Sequence, residues 1–328
     1  PGNVSFDGAL AFQGADQLEG SCVMVGSHLV LGSDGDTDVR FINCHNKASN
    51  SSGGALSVGG GLLIEGGALT VENCSSLTGD GGGLHVDGTL EISGEATATF
   101  RDCSAAEHGG AVSARRIVSR GTVTVSRCAA RGKRGGGGIY VEVGDFEQLN
   151  GRVAFDHCHA TMGPGGGLHL AEGSVKQTAG RLEFSRCRSR ADGGGFAVKG
   201  QVWVADVLQA VDCSSTAGGG GGSVDGSFYQ EEPWSPFVGA GDEGDFWQDS
   251  GEDPGQLRFR GCKSELDGGG LQVRGRFEQS SGSAHFVDCS AKRSGGCLNV
   301  EKGASWHGHG EFVKCKAGKK AKQKMTRL

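Results

Sequence analysis

The sequence predicts an all-β fold, a single-stranded parallel β-helix wound as a right-handed solenoid of about ten coils, each of roughly 25–30 residues. Three observations predict it: cysteines recur at the length of one coil, glycine runs recur in phase with them, and apolar residues alternate in between. Glycine accounts for 63 of the 328 residues, far above the roughly 7% of an average protein. Such a composition is typical of a disordered chain or of a glycine-dependent repeat, and the phased apolar positions favour the repeat.

The cysteines set the length of the repeat. Ten of the twelve end a similar four-residue stretch, such as Phe184-Ser185-Arg186-Cys187. They are Cys44, Cys74, Cys103, Cys128, Cys158, Cys187, Cys213, Cys262, Cys289 and Cys315. The spacing between neighbours varies little except between Cys213 and Cys262, where the interval is long by about one coil, so the repeat is interrupted once.

Glycine runs form the second landmark. Each run precedes an apolar–x–apolar triplet, as in Gly-Gly-Gly-Leu-His-Leu at 165–170. Such runs begin at Gly53, Gly81, Gly109, Gly136, Gly165, Gly193, Gly268 and Gly295. Each coil of a solenoid must turn sharply, and glycine adopts positive φ without steric cost.

Between the landmarks the apolar period is two, which is the period of a β-strand. The residues three before the cysteines are Phe41, Val71, Phe100, Val125, Phe155, Phe184, Ala210, Phe259, Phe286 and Phe312. Strands this short cannot bury a core within one coil, but stacked coils can. The absence of a 3.6-residue period excludes helical repeats, and the general preference for right-handed crossovers gives the expected handedness.

The repeat divides the chain into three parts. Residues 1–35 contain only Cys22 and no Phe-x-x-Cys station, so we expect an N-terminal cap or an irregular coil there. Residues 36–315 form the predicted β-helix, and 316–328 form a basic C-terminal tail. The basic end carries no acid and could pair with an acidic loop, a membrane surface or an anionic polymer, or remain solvated. Its basic residues are Lys314, Lys316, Lys319, Lys320, Lys322, Lys324 and Arg327.

The long interval contains an acidic, aromatic insertion at 223–256. It holds nine acidic residues and no lysine or arginine. Because tryptophan and tyrosine dominate binding hot spots, we expect this loop to be the site for a protein partner or assembly neighbour. The candidate partner-binding residues are Tyr229, Trp234, Phe237, Phe246 and Trp247. The alternative is that the aromatic side chains fold back onto the rod. Calcium binding is a further alternative, but the acidic residues of the insertion do not have the spacing of an EF-hand.

The cysteine column admits several interpretations. We expect buried, mostly reduced thiols that act as small apolar side chains; the alternatives are a disulfide ladder, a metal site and a redox column. Metal sites gather ligands in closely spaced pairs, whereas these cysteines are a full coil apart in sequence, so we expect no metal and no cofactor. Stacked cysteines have parallel Cβ directions, which disfavours disulfides between coils. Cys22 and Cys297 lie outside the column and have no assignable partner.

No catalytic constellation emerges from the sequence. His157 and His159 flank Cys158 but should point away from it, as strand neighbours do. His85 and His169 occupy equivalent outward positions, with other coils between them. We therefore expect a non-enzymatic structural or interaction scaffold. The alternative is a carbohydrate-active β-helix that binds or cleaves a polysaccharide, which three acids converging in one groove would favour.

Charge and hydropathy exclude two further classes. The formal net charge is −6, which argues against a nucleic-acid-binding chain. No apolar run approaches the length of about 18 residues that a membrane span needs, so we expect no transmembrane helix.

The repeat resembles that of the polymorphic outer-membrane proteins, whose autotransporter passengers carry phased Phe-x-x-Asn and Gly-Gly-Ala-Ile motifs. Gly-Gly-Ala-Leu stands here at 53–56 and 66–69, and Gly-Gly-Ala-Val at 109–112. Phenylalanine opens the Phe-x-x station seven times, and cysteine replaces the asparagine throughout. Over residues 36–315 the resemblance implies a β-helical, adhesin-like module at a cell surface or outside the cell. The chain could also be one subunit or a fragment of a larger assembly.

Overall fold

The computed structural model describes residues 4–6, 8–13, 20–32, 36–49, 51–231 and 255–318. Within these ranges the structure is all-β, and every pairing between strands is parallel. Each strand pairs with the strand at the same station of the next coil, as Phe155 does with Phe184. The predicted parallel β-solenoid of about ten turns is confirmed.

The largest sheet, sheet A, contains 19 strands in two columns. The first column follows the glycine runs and comprises Val23–Val25, Leu56–Val58, Ile139–Val141, Leu168–Leu170, Phe196–Val198, Gly222–Val224, Leu271–Val273 and Leu298–Val300. The second column comprises Val4–Phe6, Leu29–Leu31, Leu62–Ile64, Phe146–Gln148, Val175–Gln177, Val202–Val204, Phe228–Gln230, Phe277–Gln279 and Ala304–Trp306. Two longer strands, Leu84–Ile92 and Val112–Ser119, run through both columns.

Two further sheets complete each coil. Sheet B has 11 strands, and every one after the first precedes a column cysteine: Ala9–Gln13, Asp38–Ile42, Ala68–Glu72, Thr97–Arg101, Thr122–Ser126, Arg152–Asp156, Arg181–Ser185, Val207–Val211, Gln256–Arg260, Ser283–Val287 and His309–Val313. Sheet C has nine strands of two residues, which follow the cysteines: His45–Asn46, Ser75–Ser76, Ser104–Ala105, Ala129–Ala130, His159–Ala160, Arg188–Ser189, Ser214–Ser215, Lys263–Ser264 and Ser290–Ala291.

Sheet B points a column of mostly aromatic side chains into the core. Phe155 and Phe184 stack with their ring centroids 4.9 Å apart, and Phe259 and Phe286 do so at 5.0 Å. Ala210 interrupts this column, and Phe196 of sheet A packs against Phe184 at 5.2 Å instead. The predicted inward face of these strands is therefore confirmed.

Glycine has two separate tasks in each coil. Gly165 has a φ of 67°, which lets the chain turn sharply into sheet A. Two residues on, Gly167 lies against the core, where an added Cβ would stand 2.8 Å from the Phe184 ring. The glycine-run pattern thus reflects both a turn and a close approach of backbone to the phenylalanine column.

Buried glutamines join the second column of sheet A to sheet B. The Gln177 amide donates hydrogen bonds to the carbonyls of Gly180 at 2.7 Å and Val207 at 2.9 Å. Gln148 makes the equivalent bonds one coil earlier, to Gly151 and Arg181. Each amide therefore ties its own corner to the next coil and satisfies carbonyl groups at the turn.

The two cysteines outside the column close the end coils. Cys22 forms a disulfide with Cys44, the first column member, and Cys297 forms one with Cys315, the last. The sequence assigned no partner to Cys22 and Cys297, and the structure pairs each with a member of the column. Both stand immediately before a first-column strand of sheet A, where Gly167 stands in a middle coil. A cysteine at this station reaches the column cysteine at the other end of its own coil.

Part of the predicted insertion at 223–256 belongs to the rod. Gly222–Val224 and Phe228–Gln230 are regular sheet A strands, and Gln256–Arg260 resumes sheet B. The segment outside the described residues is 232–254. A Cβ built on Gly255 would lie 3.5 Å from the Glu231 carbonyl oxygen, so the chain leaves and re-enters the rod at nearly the same point.

Candidate functional site

Two aromatic side chains lie side by side on the outer surface of sheet A. Trp203 and Tyr229 are register partners in neighbouring coils, and each is the middle residue of a triplet whose other members are buried. Alternation along the strand therefore points both rings outward. The rings stack with centroids 5.6 Å apart and planes inclined by 15°.

Charged residues border this pair along the rod. Lys176 precedes Trp203 in register, and Glu278 follows Tyr229. The Lys176 ammonium lies 2.6 Å from a carboxylate oxygen of Asp145, which belongs to the preceding coil, whereas Trp203 belongs to the following one. We call the row Lys176, Trp203, Tyr229 and Glu278 the aromatic flank.

A shallow cleft of about 240 Å³ opens beside the aromatic flank. Its lining includes Gln177, Thr178, Val204 and Ala205, together with Lys176, Trp203 and Glu231. Glu231 is also the last described residue before the acidic segment. The acidic segment therefore begins at the edge of an aromatic surface.

One of the five candidate partner-binding residues can be placed, and it belongs to the aromatic flank. Tyr229 is a strand residue of the rod. Trp234, Phe237, Phe246 and Trp247 lie outside the described residues. Sequence reasoning missed Trp203, although it occupies the station of Tyr229 one coil earlier in register. The signal that could have found it is the alignment of the two coils on their preceding glycine runs.

The cysteine column has no exposed nucleophile. Eight cysteines are free and buried: Cys74, Cys103, Cys128, Cys158, Cys187, Cys213, Cys262 and Cys289. Burial raises the pKa of the Cys74 thiol to about 12 and holds the pKa of Cys158 and Cys187 well above the usual value. A thiol is nucleophilic only as the thiolate, so these three groups are chemically inert at neutral pH.

His157, one of the two histidines beside Cys158, faces away from it. The His157 Nδ1 atom lies 2.8 Å from an Asp156 carboxylate oxygen on the outer surface, whereas the Cys158 sulfur lies 3.5 Å from the buried Val125 carbonyl oxygen. The His157 imidazole is therefore engaged on the outer surface and forms no Cys–His pair with Cys158.

Carboxylates on the outer surface pair with arginines from a neighbouring coil. Glu147 accepts a hydrogen bond from Arg116 at 2.8 Å, and Asp102 pairs with Arg127 at 2.7 Å. Among the described residues, no group of three or more His, Cys, Asp or Glu side chains is placed to hold a metal ion. Each of these two pairs joins neighbouring coils along the rod.

In the described part of the chain, no helix has the length and apolar character to cross a membrane. No protein-family model, no curated protein and no solved structure matches this sequence. The parallel β-solenoid therefore rests on the structure and on the repeat pattern.

Proposed function

We propose that the protein is a non-enzymatic interaction scaffold, a rigid rod that presents the aromatic flank and the acidic segment 232–254 to a protein partner. The observation that carries this proposal is the stacked Trp203–Tyr229 pair at the point where the acidic segment leaves the rod. Large aromatic side chains on a preformed surface bind with little loss of conformational entropy.

The charge of the segment suggests the chemistry of the partner. The segment contains no lysine or arginine. A basic partner surface would be attracted to it, and that attraction would weaken as salt is added. Its acidic residues are Glu232, Asp242, Glu243, Asp245, Asp249, Glu252 and Asp253.

The resemblance to polymorphic outer-membrane-protein repeats supports a more specific form of the proposal. In that form the rod is an adhesin-like module at a cell surface or outside the cell, and one subunit or fragment of a larger assembly. This part rests on the shared Phe-x-x and Gly-Gly-Ala stations and is an argument by analogy.

Removing the acidic segment should separate binding from folding. The deletion of 232–254 joins Glu231 to Gly255 and leaves two residues between Gln230 and Gln256, as between Val204 and Val207 in the preceding coil. The rod should therefore fold, because the shortened coil has a length that the chain already uses. Thermal unfolding checks this.

Binding is measured by capture of surface proteins on the immobilised full chain, followed by titration of the captured protein. We expect the Trp203→Ala variant and the deletion each to weaken binding at least about tenfold, as loss of a hot spot does. Met162→Ala is the matched control, since Met162 is an exposed apolar side chain outside the aromatic flank. Unchanged affinity in both folded variants would contradict the proposal, and binding of a glycan array alone would favour the polysaccharide alternative.

A further inference from the structure

A second strip of outward-facing side chains, in the first column of sheet A, is covered rather than exposed. Tyr140 and His169 are register partners in this strip, and only 1% and 4% of their surfaces are accessible. The Tyr140 ring lies between the rings of His108 and His169, with centroid distances of 5.0 and 5.7 Å. The loops that precede the glycine turns therefore fold over this strip and bury polar groups outside the core.

The covered strip has hydrogen-bonding capacity that the described residues do not use. The Nδ1 atoms of His108 and His169 are buried and have no hydrogen-bond partner there. The Tyr140 phenol oxygen accepts a hydrogen bond from Arg134 Nη1 at 3.4 Å, which leaves its own proton free to be donated elsewhere. Buried polar groups without partners are uncommon, so these two nitrogens are sensitive to what occupies the space beside them.

An open cleft of about 380 Å³ lies over this strip. Tyr140 and His169 line it, together with the cations Lys133, Arg134 and Lys199. Two carboxylates, Glu142 and Glu172, complete its charged lining.

The cations of this cleft exceed its anions. Arg134 is engaged by Glu142, with a nitrogen–oxygen distance of 3.9 Å. Lys133 and Lys199 form no ion pair with the described residues, and neither does Glu172, so the lining holds three cations against two carboxylates.

The protonation states of the buried groups determine which charges and hydrogen-bond donors the cleft offers to a ligand. Burial raises the pKa of Tyr140, so the phenol stays protonated at neutral pH and can donate a hydrogen bond. Burial also lowers the pKa of His169 to about 4, so its imidazole is neutral and contributes no charge. The positive charge of the cleft therefore comes from its lysines and arginine.

We propose that this cleft binds the oxyanion group of a ligand, held by Lys133, Arg134 and Lys199 and by the hydroxyl of Tyr140. Carboxylate, sulfate and phosphate groups all have this chemistry, because each accepts several charge-assisted hydrogen bonds from ammonium and guanidinium groups. The site is separate from the aromatic flank and does not depend on the proposed protein partner.

The test is an NMR titration of the full chain with labelled histidines, at constant ionic strength set with chloride. Sodium phosphate, sodium sulfate and sodium glucuronate are the probes, and glucose is the neutral control. We expect the His108 and His169 ring signals to shift with a dissociation constant on the order of millimolar for at least one oxyanion. The comparison among the three probes distinguishes an inorganic anion from a sugar acid.

Two variants assign the site. Tyr140→Phe removes only the hydroxyl and keeps the ring stack, and Lys199→Gln removes one charge; each should weaken binding about fivefold or more. Lys263→Gln, an exposed lysine of sheet C, should leave binding unchanged. The proposal is overturned if no oxyanion shifts these signals, if glucose shifts them equally, or if both folded variants bind as tightly as the original protein.

Discussion

Replacing Phe184 with alanine should destabilise the rod by about 3–5 kcal/mol, the usual cost of removing a buried phenylalanine ring. Phe184 is 1% exposed and stacks on Phe155, while Phe196 packs on its other side. Gly167 has no Cβ, and a Cβ added there would stand too close to the Phe184 ring. The substitution would therefore leave a cavity between these neighbours. Urea unfolding monitored by circular dichroism measures the change.

Ser185→Ala is the matched control for this experiment. Ser185 follows Phe184 on the same strand but faces outward, so its substitution should change the free energy of unfolding by less than about 0.5 kcal/mol. A loss below about 1 kcal/mol for Phe184→Ala would remove Phe184 from the interior and contradict the assignment of strand faces.

Removing the Cys297–Cys315 disulfide should loosen the last coil. The two cysteines are 18 residues apart, and a cross-link over a loop of that size stabilises by about 3 kcal/mol. The last coil needs it more than a middle coil does, because Leu298 and Val300 remain partly exposed where no further described coil covers them. The double variant Cys297→Ala with Cys315→Ala should therefore exchange its last-coil amide protons faster.

The middle coils provide the internal control, since their amide exchange should not change in the double variant. Alanine is suited to position 297, because Ala55 and Ala111 already occupy this station in other coils. Last-coil exchange equal to that of the original protein would show that packing alone holds the end of the rod.

The fold could be predicted from the sequence because each coil repeats the same physical requirements. The phenylalanine column needs an apolar side chain three residues before each cysteine. The Phe184 ring leaves no room for a Cβ at Gly167, immediately before a first-column strand of sheet A. A third station must turn with positive φ, as at Gly165. These requirements are local and periodic, so they remain visible in the order of residues.

The disulfides and the covered strip could not be predicted in the same way. The Cys22–Cys44 bond crosses the interior of a coil, and its partners are related by the shape of the cross-section and not by the repeat. Tyr140 faces outward by strand alternation, but loops whose path has no sequence period bury it. Trp203 and Tyr229 belong to different coils, and only the stacking of those coils brings the two rings together.

Counting thiols in the native and unfolded protein tests the interior position of the cysteine column most directly. Without reductant, Ellman's reagent should label almost no thiol of the native protein and eight in denaturant, while reduction in denaturant should raise the count to twelve. The eight are shielded because the core surrounds them. Rapid labelling of most thiols in the folded protein would place the cysteines on the surface and invert the strand faces on which both proposed sites depend.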